Sequence, residues 1–203
     1  IMIYVLAGPI LKLDLNLERR PIVALLIDQS KSMDLPAGPF ESDDSVVATA
    51  RAARLDAAAN TTDETRRVLN ELSRARLAHA VIDASGSTFL KPISERFEIR
   101  AFGVSDGLKP IELRSDLPGL GAPPSADGKR STIGSGIEEV IEQAAGQEIA
   151  GIIVFTDGQN NGGVSLSHAA ATSTRASTPV YAVPVGSTAP IRDVAIADVF
   201  THG

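Results

Sequence analysis

Residues 21–28 read PIVALLID, an unbroken apolar run closed by a carboxylate. A run without polar alternation suits a strand buried on both faces, the habit of parallel sheets. Residues 97–104 (FEIRAFGV), 149–156 (IAGIIVFT) and 179–185 (PVYAVPV) share this character. Helical spacing fills the intervals. Residues 45–59 are rich in Ala and Arg, and residues 63–84 carry Val68, Leu69, Leu72, Ala75, Leu77, Ala80 and Val81 as one continuous amphipathic stretch, with Thr62 or Asp63 as its N-cap. Two more helices are expected over 135–145 and 165–177, the latter stopped before Pro179. Residues 108–114 follow the turn Ser105-Asp106-Gly107 and read as a short strand pairing antiparallel with its predecessor. Loops are expected over 35–44 and 118–129, where Pro, Gly, Ser and Asp cluster. The alternation predicts an α/β fold: a doubly wound, mostly parallel sheet with one antiparallel edge strand and helices on both faces.

Ligands of such sheets bind beyond the carboxyl ends of the strands. Here those ends are rich in oxygen. The first run closes as Asp28-Gln29-Ser30-Lys31-Ser32, a D-x-S-x-S pattern, and the run 149–156 leads into Asp157-Gly158. Ser131-Thr132 stands just before a helix. Two carboxylates and three hydroxyls would converge with no nitrogen or sulfur donor. Such a set selects a hard cation, Mg²⁺ or Mn²⁺, with Ca²⁺ less favoured because it takes more ligands. Hydroxyls neutralise nothing, so the ion stays electrophilic, and a carboxylate from another molecule is a natural sixth ligand.

These residues resemble the metal-ion-dependent adhesion site of von Willebrand factor type A (vWA) domains. The resemblance covers roughly residues 20–190 and implies Asp28, Ser30, Ser32, Thr132 and Asp157 as the metal-coordinating set, some of them through water. It also implies a protein partner that offers Asp or Glu to the metal, and a binding module rather than an enzyme. The interval from Ser32 to Thr132 is long for the family, and the adjacent hydroxyl of Ser131 is an alternative to that of Thr132. A narrower likeness is to bacterial membrane-anchored members. Ala7-Gly8-Pro9 followed by Arg19-Arg20-Pro21 fits their layout, with residues 1–18 as the end of a membrane helix and its connection. Residues 19–190 would form the domain and 191–203 a linker or strand toward a further one. The apolar stretch 1–11 equally suits a segment packed on the domain; alone it is shorter than the roughly 20 residues that span a bilayer. A place at the membrane of a bacterial cell envelope is the expectation that follows.

Composition excludes other classes. The chain has no cysteine, which removes disulfides, thiolate metal sites and a Cys nucleophile. Its net charge is −6 and its aromatic content 4%, which disfavours phosphate-backbone binding and base stacking; no nucleic-acid partner is expected. Competing motifs are weaker. Gly103-Val104-Ser105-Asp106-Gly107 matches G-x-S-x-G, with Asp157 and His168 in hydrolase order, so a hydrolase using Ser105 is the alternative function. That motif needs a helix after the Ser, and Leu108-Lys109-Pro110-Ile111 reads as a strand. An aspartyl phosphotransferase needs a second Asp where Ser30 stands. Gly134-Ser135-Gly136 lacks the rest of a dinucleotide loop, Gly128-Lys129 the upstream Gly of a P-loop, and Asn60-Thr61-Thr62 reads better as a helix-cap loop than as a glycosylation site.

Overall fold

A computed structural model describes residues 19–55, 61–114, 119–121 and 126–187. Five strands form one sheet: β1 (Ile22–Asp28), β2 (Glu98–Val104), β3 (Leu108–Ile111), β4 (Ile149–Thr156) and β5 (Val180–Pro184). Their order is β3-β2-β1-β4-β5. β1 runs parallel to β2 and β4, β4 parallel to β5, and β3 is the antiparallel edge strand beside β2. All seven residues of β1 are buried, because it is the central strand and both its faces are covered.

The two faces carry separate cores. Leu25 and Ile27 point into one with Met33, Val46, Leu69, Leu77 and Ile82. These residues come largely from helices α1 (Asp43–Ala52), α2 (Thr62–Glu71) and α3 (Arg74–Ser85). Ile22, Ala24 and Leu26 point into the other with Ile137, Val140, Ile152 and Ala169, closed by α5 (Ile133–Gln143) and α6 (Leu166–Arg175). Each fully buried Leu or Ile contributes on the order of 1.5–3 kcal/mol. A π-helical segment (Gly86–Leu90) and α4 (Lys91–Arg96) lead into β2, in a stretch for which the sequence pattern predicts no element.

One expected element is corrected. The stretch 63–84 is two helices, broken at Leu72-Ser73. The apolar spacing runs through the break, but backbone bonds override it. The Leu72 carbonyl accepts from Ala37 N–H at 2.7 Å, and Arg74 N–H donates to Leu35 carbonyl at 3.0 Å. Ser73 then caps α3 by accepting from Arg76 N–H. Thr61, one residue before the expected cap, accepts from Glu64 N–H to start α2.

The sheet reverses its winding between β1 and β4, the point past whose strand ends such folds place their ligands. Register brings Asp28 beside Val104, and Ile27 beside Phe155. Asp28, Ser105 and Thr156 therefore end up together. The readings for residues 1–18 and 191–203 lie outside the described residues. Among the described residues no helix is long and apolar enough to cross a membrane.

Candidate metal centre

Asp28 has no exposed surface. Its Oδ1 accepts from Ser30 N–H at 2.9 Å, which folds the chain tightly just past β1. Its Oδ2 accepts from Ser131 Oγ at 3.0 Å and from Thr156 Oγ1 at 2.9 Å. Among the described residues no Lys, Arg or His forms an ion pair with it. Three neutral donors thus hold a carboxylate that burial would otherwise penalise heavily.

The hydroxyls of Ser30 and Ser32 lie 3.0 Å apart. The segment is fixed from below by Met33, which is fully buried, and from the side by Gly128. Lys31 N–H donates to Gly128 carbonyl at 2.7 Å and Gly128 N–H to Gln29 carbonyl at 3.0 Å. Gly128 allows that approach: a Cβ there would stand 2.2 Å from Ser105 Cβ.

The two hydroxyls before α5 diverge. Ser131 Oγ faces both Asp28 Oδ2 and, at 2.8 Å, the Gln159 carbonyl, and its one proton is shared between these two acceptors. Thr132 Oγ1 donates to the Ser105 carbonyl. In this conformation Ser131, the alternative hydroxyl, is the one in contact with Asp28. The loop after β4 clasps this segment. Asn161 Oδ1 accepts from Ser131 N–H at 2.8 Å, Asn160 Oδ1 accepts from Gly134 N–H at 3.1 Å, and Ser131 carbonyl accepts from Asn161 N–H at 3.0 Å.

Asp157 is placed differently. Its Oδ2 forms an ion pair with Arg74 Nη1 at 2.6 Å, and its Oδ1 accepts from Gln159 N–H at 3.1 Å. The two side chains are 3% and 8% exposed, so the pair is dry. Arg74 Nη1 also donates to Ser32 carbonyl at 3.3 Å, which ties Asp157 to the D-x-S-x-S segment through a cation. Gly158 follows at φ +87°, a turn that favours Gly.

The donor chemistry fits a small hard cation. Every side-chain donor around Asp28 is an oxygen, and 3.0 Å matches the edge of about 2.9 Å between neighbouring ligands of an octahedron with 2.0–2.1 Å bonds. Among the described residues no three His, Cys, Asp or Glu side chains gather as a metal-binding group; the site has two carboxylates and otherwise hydroxyls.

Sequence reasoning missed Arg74 and Thr156. Thr156 stands beside Asp157 at the end of an apolar run, where a hydroxyl is a visible signal. Arg74 follows a good capping residue, Ser73, in an otherwise apolar spacing, and nothing else marks it.

The G-x-S-x-G motif is a turn into β3. Ser105 is buried and strand, not helix, follows it. His168 faces Glu138 at 3.4 Å, and no hydrogen bond between it and Ser105 is present among the described residues.

No protein-family model and no curated protein matches the chain. Among solved structures it is similar to proximal thread matrix protein 1 from the mussel byssus, with a TM-score of 0.42 and 15% identity. That likeness covers 81% of this chain and 38% of the mussel protein's, and it is too slight to carry a function across.

Proposed function

We propose that this domain is a vWA-type, divalent-metal-dependent binding module for an acidic partner protein. Asp28, Ser30, Ser32, Thr132 and Asp157 would hold Mg²⁺ or Mn²⁺, with Ca²⁺ third in preference. The observation that carries this reading is Asp28: a fully buried carboxylate at the winding reversal, held only by neutral donors, beside two hydroxyls 3.0 Å apart. A bound cation supplies the missing countercharge and an open position for an incoming carboxylate. Asp28 anchors it, and Ser30 and Ser32 present oxygens at the right spacing. Thr132, now turned to Ser105, is the hydroxyl available to join when a partner arrives. This is how a ligand gains affinity from a contact made only in the bound state.

Manganese makes the test direct. Water-proton relaxation enhancement should appear when Mn²⁺ is added to the wild type and should fall when acetate or a short Asp-containing peptide displaces a bound water. Neither change should occur with Asp28→Asn or in excess EDTA. Enhancement that survives Asp28→Asn would place the ion elsewhere.

The proposed setting is the membrane of a bacterial cell envelope, on the resemblance of residues 7–21 to anchored members. Fractionation of cells expressing the natural gene checks it, and recovery only in the aqueous fraction would remove the anchor.

A further inference from the structure

We infer that Arg74 is a built-in competitor of the metal, a cation fixed by the fold that holds the affinity of the centre low. This rests on the metal-binding reading above and adds to it a residue outside the coordinating set. Arg74 is 7% exposed, and a buried guanidinium needs a reason. Its Nη1 serves Asp157 Oδ2 and Ser32 carbonyl, both in the candidate centre. Its Nε is buried with no hydrogen-bond partner among the described residues. The guanidinium is therefore placed for the centre and is not fully satisfied by its own surroundings. A residue serving only the core would be cheaper as an aliphatic side chain.

Charge decides the consequence. Without Arg74, the centre would present two carboxylates to a dication. With it, Asp157 is already neutralised and Asp28 alone remains uncompensated. A buried guanidinium that contacts Asp157 and the Ser32 carbonyl would repel a divalent ion held by the same groups more strongly than it would in water. The ion should then bind weakly, exchange readily, and retain more positive charge toward a partner's carboxylate. The break between α2 and α3 is what delivers this cation: Arg74 is the first residue of α3, and its own N–H is pinned to Leu35 carbonyl.

Calorimetric titration of Mn²⁺ and Mg²⁺ into wild type and Arg74→Met tests this. The expected result is binding at least about tenfold tighter in the variant, by removal of one like charge. A merely structural role for Arg74 would leave affinity equal or lower, and either of those outcomes overturns the inference while leaving the metal site standing. Binding by the variant alone would support it in its strongest form. No binding by either protein would overturn both readings. Should Arg74→Met fail to fold, Asp157→Asn and the double variant Arg74→Met/Asp157→Asn replace it. The single variant leaves Arg74 unpaired and should lose the metal, and the double variant should regain at least part of it. A double variant that binds no better than the single one overturns the inference.

Discussion

The carboxylates at the ends of the neighbouring strands β1 and β4 are held by opposite means. Asp28 is held by a backbone N–H and two hydroxyls, with no cation beside it among the described residues. Asp157 is held by a dry ion pair with Arg74. The difference teaches that burial alone does not define a metal ligand. What matters is whether the fold has already supplied the countercharge. Asp28 is left for an external ion, whereas Asp157 must share.

Neutralising each carboxylate in turn gives the sharpest contrast. Asp157→Asn strands Arg74 as an unpaired buried charge and should cost about 3–5 kcal/mol of stability in EDTA. Asp28→Asn strands no cation, and the Ser131 and Thr156 hydroxyls can rotate to accept from the new amide, so it should cost about 1 kcal/mol or less. Chemical denaturation in EDTA compares them. Equal losses would dissolve the distinction.

With metal present Asp28→Asn is no longer the mild change. Asp28→Asn should lower Mn²⁺ affinity on the order of 100-fold, equivalent to about 2.7 kcal/mol, since it removes the one uncompensated charge. Electron paramagnetic resonance of free Mn²⁺ reads this directly. An affinity within about threefold of wild type would show that Asp28 serves only the fold.

Thr132→Ala should be milder. It should leave Mn²⁺ affinity nearly unchanged while weakening acetate or Asp-peptide binding by about fivefold, roughly 1 kcal/mol, the value of one hydrogen-bonding contact. Ser131→Ala should instead weaken the metal, because Ser131 touches Asp28. The reverse pattern would make Ser131, not Thr132, the hydroxyl that joins when a partner arrives.

The smallest effect lies at the opposite end of the sheet and serves as a control. Hydrogen bonds from Arg100 and Gln147 hold the Glu98 carboxyl below its usual value. Its stabilisation is therefore present above the unfolded-state value and lost as pH falls through the folded one. Glu98 is 43% exposed, so solvent screens the pair and the effect should stay under about 1 kcal/mol. Glu98→Gln should flatten the acid limb of stability against pH slightly and leave Mn²⁺ binding untouched. A change in metal affinity would mean the two ends of the sheet communicate.

Much of the framework was legible because burial on both faces writes itself into composition. The runs at 21–28 and 149–156 could hardly be anything but central strands, and each is one. Asp28, Ser30 and Ser32 were legible because they are local to one strand end. The break at Leu72-Ser73 was not, since it is imposed by Leu35 and Ala37, more than thirty residues earlier in the chain. Arg74 was hidden for the same reason: its partner Asp157 lies 83 residues away, and only the folded chain brings them into contact. The hydroxyl choice at 131–132 was hidden because neighbours on a loop differ only in rotation.

The short ladder beyond Asp28 sets the order in which the centre opens. Gln29, Lys31 and Gly128 are joined by backbone bonds that extend the pairing past the end of the central strand. Local opening is governed by how much buried, bonded structure must separate at once. Amide protons on Lys31 and Gly128 should exchange with deuterium among the slowest outside the strands. The segment after β4, where Gly158 and Gln159 are exposed, should exchange sooner. The segment that carries Ser30 and Ser32 is thus tied by backbone bonds to the central strand, and adjustment to a bound guest would fall to the loop after β4.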